Sequence, residues 1–265
     1  MKRSKQPAKR LLNMSRRKAQ PQQVTLYLSQ EIPMAEENRT GEICYLCGKN
    51  IKEGSSSSDH VPPKAFYPKD IRGGLNLQTA PSHKKCNEAY RQDEEYFQHC
   101  LFPEVLNQQP AITVHLKNDF LRRAQKPQTP AMIRNILKGT SDITAGGVHL
   151  PPGKYVITVD EYRIERVALK IVRGLFYLEN GSFLPLESAK DIRFCLGEND
   201  VPELYRILWP AVELRGPYPK VFSYKYFNTR KHFGRDECPE LDGLHMYSLL
   251  FWEAVMFCIT FEYVP

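Results

Sequence analysis

Apolar positions change their period along this chain. In the C-terminal half, Tyr162, Ile164, Val167, Ala168, Ile171, Val172 and Leu175 recur at helical spacing, which lays a broad apolar face along one helix. Asp160 stands where the N-cap belongs, and Asn180-Gly181 gives a turn signal at the far end. Apolar and polar residues then alternate through 220–227, and two apolar runs flank Trp252-Glu253. That pattern predicts an antiparallel sheet of three or more strands packed on the helix. Residues 111–116 and 155–159 read as short strands, and 119–125 and 131–138 as helical pieces split by proline. No internal repeat is visible.

Nearer the N-terminus the pattern breaks into short pieces. The Gly-Ser stretch 54–58 reads as a flexible loop leading into Asp59. Pro62-Pro63 and Gly73-Gly74 break any helix, so strands and turns are expected to carry Asp59, His60 and Asn76. A helix is expected from Ser82 as N-cap, with His83, Cys86, Asn87 and Tyr90 along one face. It is expected to run through Asp93, Glu94, Tyr96 and Phe97 toward Cys100 and to end before Pro103. Residues 24–32 read as an extended arm, and residues 1–23 have the composition of a mobile segment. The expected organisation is a basic tail and arm over 1–40, a compact metal-binding unit over 41–104 and an α+β domain over 105–265.

Composition adds limits. A chain of 265 residues with 42% hydrophobic and 25% charged positions is ordinary for a soluble globular protein. The net charge of +7 belongs to the tail: eight Lys and Arg and no acid lie within residues 1–20, so residues 21–265 total −1 (+7 less +8). Such a tail can grip a phosphate backbone without reading sequence, or stand simply as a solvated end. Seven cysteines, an odd number, argue against a disulfide framework and for a reducing, cytoplasmic compartment. No apolar core of a signal peptide follows the basic start. The apolar run 246–261 contains Glu253 and is shorter than a spanning helix needs, so it reads as sheet.

The most specific feature lies between residues 44 and 87. Cys44-x2-Cys47 and His83-x2-Cys86 are two half-sites of equal spacing, suited to one closed tetrahedral zinc site of three thiolates and an imidazole. The competing reading is a buried Cys44/Cys47 redox pair with His83 at the surface. Between the half-sites lie Asp59-His60-Val61-Pro62-Pro63 and Gly74-Leu75-Asn76-Leu77, and Asn87 follows the last thiol. His60 suits a general base, since an imidazole titrates near working pH. Asp59 and Asn87 offer oxygens to a hard cation of the Mg²⁺ or Mn²⁺ type, and the Asn76 amide can orient backbone or base.

In this order the residues resemble the HNH endonuclease family in its zinc-stabilised form. The resemblance covers about residues 41–100 and implies a ββα-metal fold, in which a hairpin carries the Asp-His and the central Asn and a helix carries the last metal ligand. It implies that His60 activates water, that Asp59 and Asn87 hold a catalytic divalent ion, and that Asn76 stabilises the loop and orients His60. By the same resemblance Cys44, Cys47, His83 and Cys86 hold structural zinc. His83 stands where many members have Cys, and Asn87 where many have His.

The expectation is therefore a metal-dependent endonuclease that hydrolyses phosphodiester bonds, in DNA sooner than RNA. A role in bacterial or phage defence, with a regulatory partner or self-association, follows by analogy alone. The alternative is a non-catalytic zinc-knuckle module that binds nucleic acid or protein. Asp93, Glu94 and Glu95 could add a carboxylate to the metal site, but read sooner as a solvated helix face, since Glu94 would stand about 10 Å beyond Asn87 on a continuous helix. Lys84, Lys85 and Arg91 flank the site as weak candidates for phosphate contact. His99, His115, His149, His232 and His245 have no ligand spacing, and Cys195 and Cys258 read as core thiols.

Overall fold

The computed structural model describes residues 42–263 apart from 53, 109, 128, 186–189, 196–197 and 233–242. Contacts divide the chain after Arg39, with Thr40–Pro265 as one compact unit. The basic tail, the arm over 24–32 and Cys238 lie outside the described residues.

A short hairpin opens the unit. Strand β1 (Ser56–His60) pairs antiparallel with β2 (Thr79–His83), placing Asp59 opposite Ala80 and His60 opposite Thr79. Three serines of the supposed loop therefore belong to a strand. Their pairing with β2 supplies the order that their own propensity does not. Helix α1 (Lys84–Glu88) follows without a break. Ser82 is not its N-cap: the residue lies in β2, and its hydroxyl donates to the Ser57 carbonyl at 3.2 Å.

The helix expected to be continuous is two helices. The chain turns at Ala89-Tyr90 and restarts as α2 (Arg91–Gln108). Pro103 sits inside α2 instead of ending it. Phe97, Cys100, Leu101 and Val105 are buried on its inner side, and that burial outweighs the lost backbone bond. The expected boundary after residue 104 falls within this helix.

Next come α3 (Thr113–Ala124) and α4 (Thr129–Lys138). Residues 111–116, expected as a strand, form the approach to α3 and its first turn. Here Ile112 and Leu116 share one buried helical face, a spacing that a short window reads as easily as alternation. The two-residue strands β3 (Thr140–Ser141) and β4 (Val156–Ile157) make a minor pair.

Helix α5 (Glu161–Asn180) forms as the apolar period demands. The Asp160 carboxylate accepts from the Arg163 backbone N–H, and Gly181 ends the helix in the left-handed region at φ 67°. Ile164, Val167, Ala168, Ile171, Val172 and Leu175 are buried, but Tyr162 is exposed. Tyr162 points away from α2, which the first turn meets through Arg163 and Asp93.

The C-terminal sheet contains β5 (Lys190–Cys195), then, after α6 (Glu203–Leu208), β6 (Arg215–Tyr218), β7 (Phe222–Asn228), β8 (Leu244–Phe251) and β9 (Val255–Glu262). All neighbours are antiparallel, in the order β5-β9-β8-β7-β6. Trp252 and Glu253, both with positive φ, form the tight turn between β8 and β9. The buried Trp252 ring donates from Nε1 to the Phe66 carbonyl at 3.2 Å, a contact that helps hold this uncommon backbone.

The β7 strand is buried on both faces, because the sheet is covered on both. One face meets α5 and α2 through Phe176–His245 and Phe97–Phe257 ring contacts. The other face meets the α6 region through Tyr205, Val201 and Val212 around Phe227 and Met246. Cys195 and Cys258 are core thiols in that second layer, with sulfurs 3.9 Å apart. On the first face a single cluster of buried residues runs from Cys44 through Phe66 and Phe97 to Phe261. The hairpin, α1 and α2 thus share one core with α5 and the sheet. No helix among the described residues is long and apolar enough to cross a membrane.

Candidate functional site

Cys44, Cys47, His83 and Cys86 converge, with one ligand atom from each lying within 4.8 Å of all the others. A narrow turn, closed by the Ile43–Asn50 bridge and the Gly48 N–H donating to the Cys44 carbonyl at 2.8 Å, presents the first two thiols. Gly48 adopts φ +70°, and a Cβ there would lie 2.8 Å from the Phe183 ring, so the knuckle needs glycine on two counts. The end of β2 and the first turn of α1 present His83 and Cys86. His83 Nδ1 lies 3.4 Å from the Cys47 sulfur and 3.8 Å from that of Cys86.

The other ring nitrogen, Nε2, is 3.1 Å from the Asn50 carbonyl. A carbonyl only accepts, so Nε2 carries the proton and Nδ1 turns its lone pair toward the thiols. That outer bond orients an imidazole for metal ligation. Burial, with Cys44 and Cys47 nearby, pushes the Cys86 thiol up to about 12. Several thiolates cannot collect in one place without a cation, and a bound metal inverts that preference. The group could hold a metal ion such as zinc.

The inner residues are arranged differently. Asp59 and Asn87 do come together, but around the ammonium of Lys170 from α5. Lys170 Nζ lies 2.8 Å from Asp59 Oδ2, 3.0 Å from Asn87 Oδ1 and 2.5 Å from Glu94 Oε1. Its side chain is 1% exposed and that of Asp59 6%. Tyr45 donates to the same Asp59 oxygen at 2.6 Å, and the Tyr90 ring centre lies 5.3 Å from the ammonium. Burial raises the Glu94 carboxyl above its ordinary value, with Lys170 opposing the shift.

Glu94 is thus part of the cluster, contrary to the expectation of a solvated face. A separation of about 10 Å from Asn87 requires one continuous helix. The break at Ala89-Tyr90 turns the start of α2 back toward Asn87. Asp93 is also buried, held by Arg163 at 2.6 Å and by Arg166, while Glu95 accepts from Thr129 Oγ1 at 2.6 Å.

His60 follows Asp59 on β1, and consecutive strand residues face opposite sides. The imidazole is partly exposed. Burial, then Lys64, lowers its pKa against the pull of Asp59, and Arg72 adds to the lowering. Asn76 is exposed in the loop before β2, and its side chain bonds no described residue, so the expected orienting bond to His60 is not made. Lys84, Lys85 and Arg91 are exposed.

Lys170, Lys64 and Arg72 escaped the sequence reading. Arg163, Arg166, Lys170 and Arg173 do recur at i, i+3, i+7 and i+10 beside the apolar face of α5, a basic stripe that signals an acidic or aromatic neighbour. Arg163 and Arg166 lie over the rings of Tyr96 and Tyr90, and Arg173 donates to the Tyr90 hydroxyl. The stripe reaches β1 because Gly174 has no side chain: a Cβ there would stand 2.4 Å from Val61 Cγ2. Comparison with protein-family models, curated proteins and solved structures gives no match.

Proposed function

We propose that the chain is an endonuclease of the HNH kind, hydrolysing phosphodiester bonds in DNA sooner than RNA, with His60 as general base. One observation carries the reading. Asp59-His60 on β1 and Asn87 on α1 belong to a hairpin-helix unit closed by a Cys3His group of metal-ligand geometry. Zinc is the ion that group suits, since it accepts thiolate and imidazole in tetrahedral array.

His60 has the properties a base needs. It is open to solvent on one side, and its lowered pKa keeps the ring neutral and able to take a proton from water. Lys64 and Arg72 act electrostatically on the ring and supply positive charge for a phosphate. The Mg²⁺ or Mn²⁺ that the resemblance implies at Asp59 and Asn87 does not fit these residues as they stand, because Lys170 already occupies both oxygens.

The Lys170 contacts also favour a second reading, a non-catalytic zinc-stabilised binding module, since they give Asp59 and Asn87 a structural task. Cleavage of supercoiled DNA and of single-stranded RNA by wild type and His60→Ala separates the two. The nuclease reading expects wild-type cleavage, reduced about 10²–10⁴-fold in the variant, with zinc content and melting unchanged. Cleavage that the variant retains in full removes His60 from the chemistry. Absence of cleavage by zinc-loaded wild type under all divalent ions favours the binding module.

A further inference from the structure

We propose that Lys170 is the built-in cation of the Asp59/Asn87/Glu94 cluster: its ammonium excludes a divalent ion from these oxygens, and removing it opens a site for one. The inference concerns ion binding and stands apart from whether the chain cleaves nucleic acid.

The geometry points this way on three counts. First, an ammonium has three N–H donors, and the three oxygens at 2.8, 3.0 and 2.5 Å account for all of them. Each oxygen comes from a different element, β1, α1 and α2, so a fourth element supplies the charge that joins them. Second, the ammonium has nowhere to retreat. Lys170 is 1% exposed, and its helix is pinned on either side: Arg163 and Arg166 hold Asp93, and Gly174 lies against Val61. A Mg²⁺ or Mn²⁺ ion on the same oxygens would have to stand beside a fixed positive charge in a largely buried site, where repulsion is weakly screened.

Third, the donor set without Lys170 is one that a hard cation accepts. It contains two carboxylates and a neutral amide oxygen converging on a point, with the Tyr45 hydroxyl beside Asp59. Mg²⁺ and Mn²⁺ bind such oxygens and complete their octahedron with water. The space vacated by a lysine side chain admits that water. The Cys/His group offers no competition, since its thiolates select a softer ion.

The test is Mn²⁺ binding by the zinc-loaded full chain, read by electron paramagnetic resonance and by the shift in melting temperature. Wild type, Asp59→Asn, Lys170→Ala and Lys170→Ala with Asp59→Asn are compared. Wild type is expected to bind no Mn²⁺ that depends on Asp59. Lys170→Ala is expected to gain one equivalent at least about tenfold tighter than any wild-type binding, and its melting temperature is expected to rise with Mn²⁺. Asp59→Asn in that background is expected to abolish both gains. A wild-type equivalent of Mn²⁺ lost in Asp59→Asn overturns the proposal, and that measurement requires no Lys170 variant to fold. A folded Lys170→Ala that takes up no Mn²⁺ overturns it equally. Should Lys170→Ala fail to fold, Lys170→Gln, which keeps much of the side-chain volume, replaces it under the same criteria.

Discussion

Two clusters sit side by side in this protein, joined through the neighbours Cys86 and Asn87, and they balance their charge in opposite ways. The Cys44/Cys47/His83/Cys86 group gathers four electron-pair donors, and among the described residues no Lys or Arg bonds to its sulfurs. Its imidazole is oriented by a backbone carbonyl, and burial beside the other two sulfurs raises the Cys86 thiol pKa. The Asp59/Asn87/Glu94 group contains a cation already, because α5 delivers Lys170 into its centre. The first could hold an ion such as zinc, whereas the second already has its charge from the chain. Sharing a helix therefore does not give two neighbouring polar clusters the same chemistry. What matters is whether the protein brings a charge of its own.

Removing metal tests the contrast most severely. Structural zinc in zinc-finger peptides supplies about 10–16 kcal/mol at neutral pH, as much as the whole stability of an ordinary domain. Chelation, or Cys44→Ser, is expected to abolish the cooperative melting transition, with zinc followed by elemental analysis. A protein that melts unchanged after all metal is stripped would show the thiol cluster to be as self-sufficient as its neighbour.

The second cluster is expected to respond to its own cation instead. Lys170→Ala leaves Asp59 and Glu94 without their partner and should cost about 3–5 kcal/mol, measured by urea unfolding. Adding Asp59→Asn and Glu94→Gln should recover much of that loss, because uncharged groups no longer need the ammonium. A loss that persists in full would assign the effect of Lys170 to packing.

A smaller effect examines how α5 reaches the hairpin. Gly174→Ala places a methyl 2.4 Å from Val61 and should cost about 1–3 kcal/mol by overpacking. Val61→Ala in the same chain should restore part of it. Equal stability of Gly174→Ala and wild type would mean that the Lys170 contacts do not depend on this close approach.

Much of the local structure was legible. The apolar period from Ile164 to Leu175, with Asp160 and Gly181 at its ends, gives α5, and the two runs around Trp252-Glu253 give β8 and β9. The ligand group was legible too, because each half-site is a single turn of chain. The failures have local causes. The break at Ala89-Tyr90 hides within residues that suit a helix, Pro103 survives inside α2 because its neighbours are buried, and 111–116 carries a spacing common to strand and helix. Glu94 was misplaced as a consequence of the first of these.

The residues themselves determine the Cys3His group, since C-x2-C and H-x2-C set their spacing within a few backbone bonds. They also determine the long helix and the antiparallel sheet, through periods of 3.6 and 2 that burial enforces. Only the tertiary structure decided which charge stands between Asp59 and Asn87. Lys170 lies 83 residues beyond Asn87 in the chain, and no local period encodes that meeting. It arises from the packing of α5 on the hairpin, where a glycine permits the approach and a buried carboxylate requires a cation.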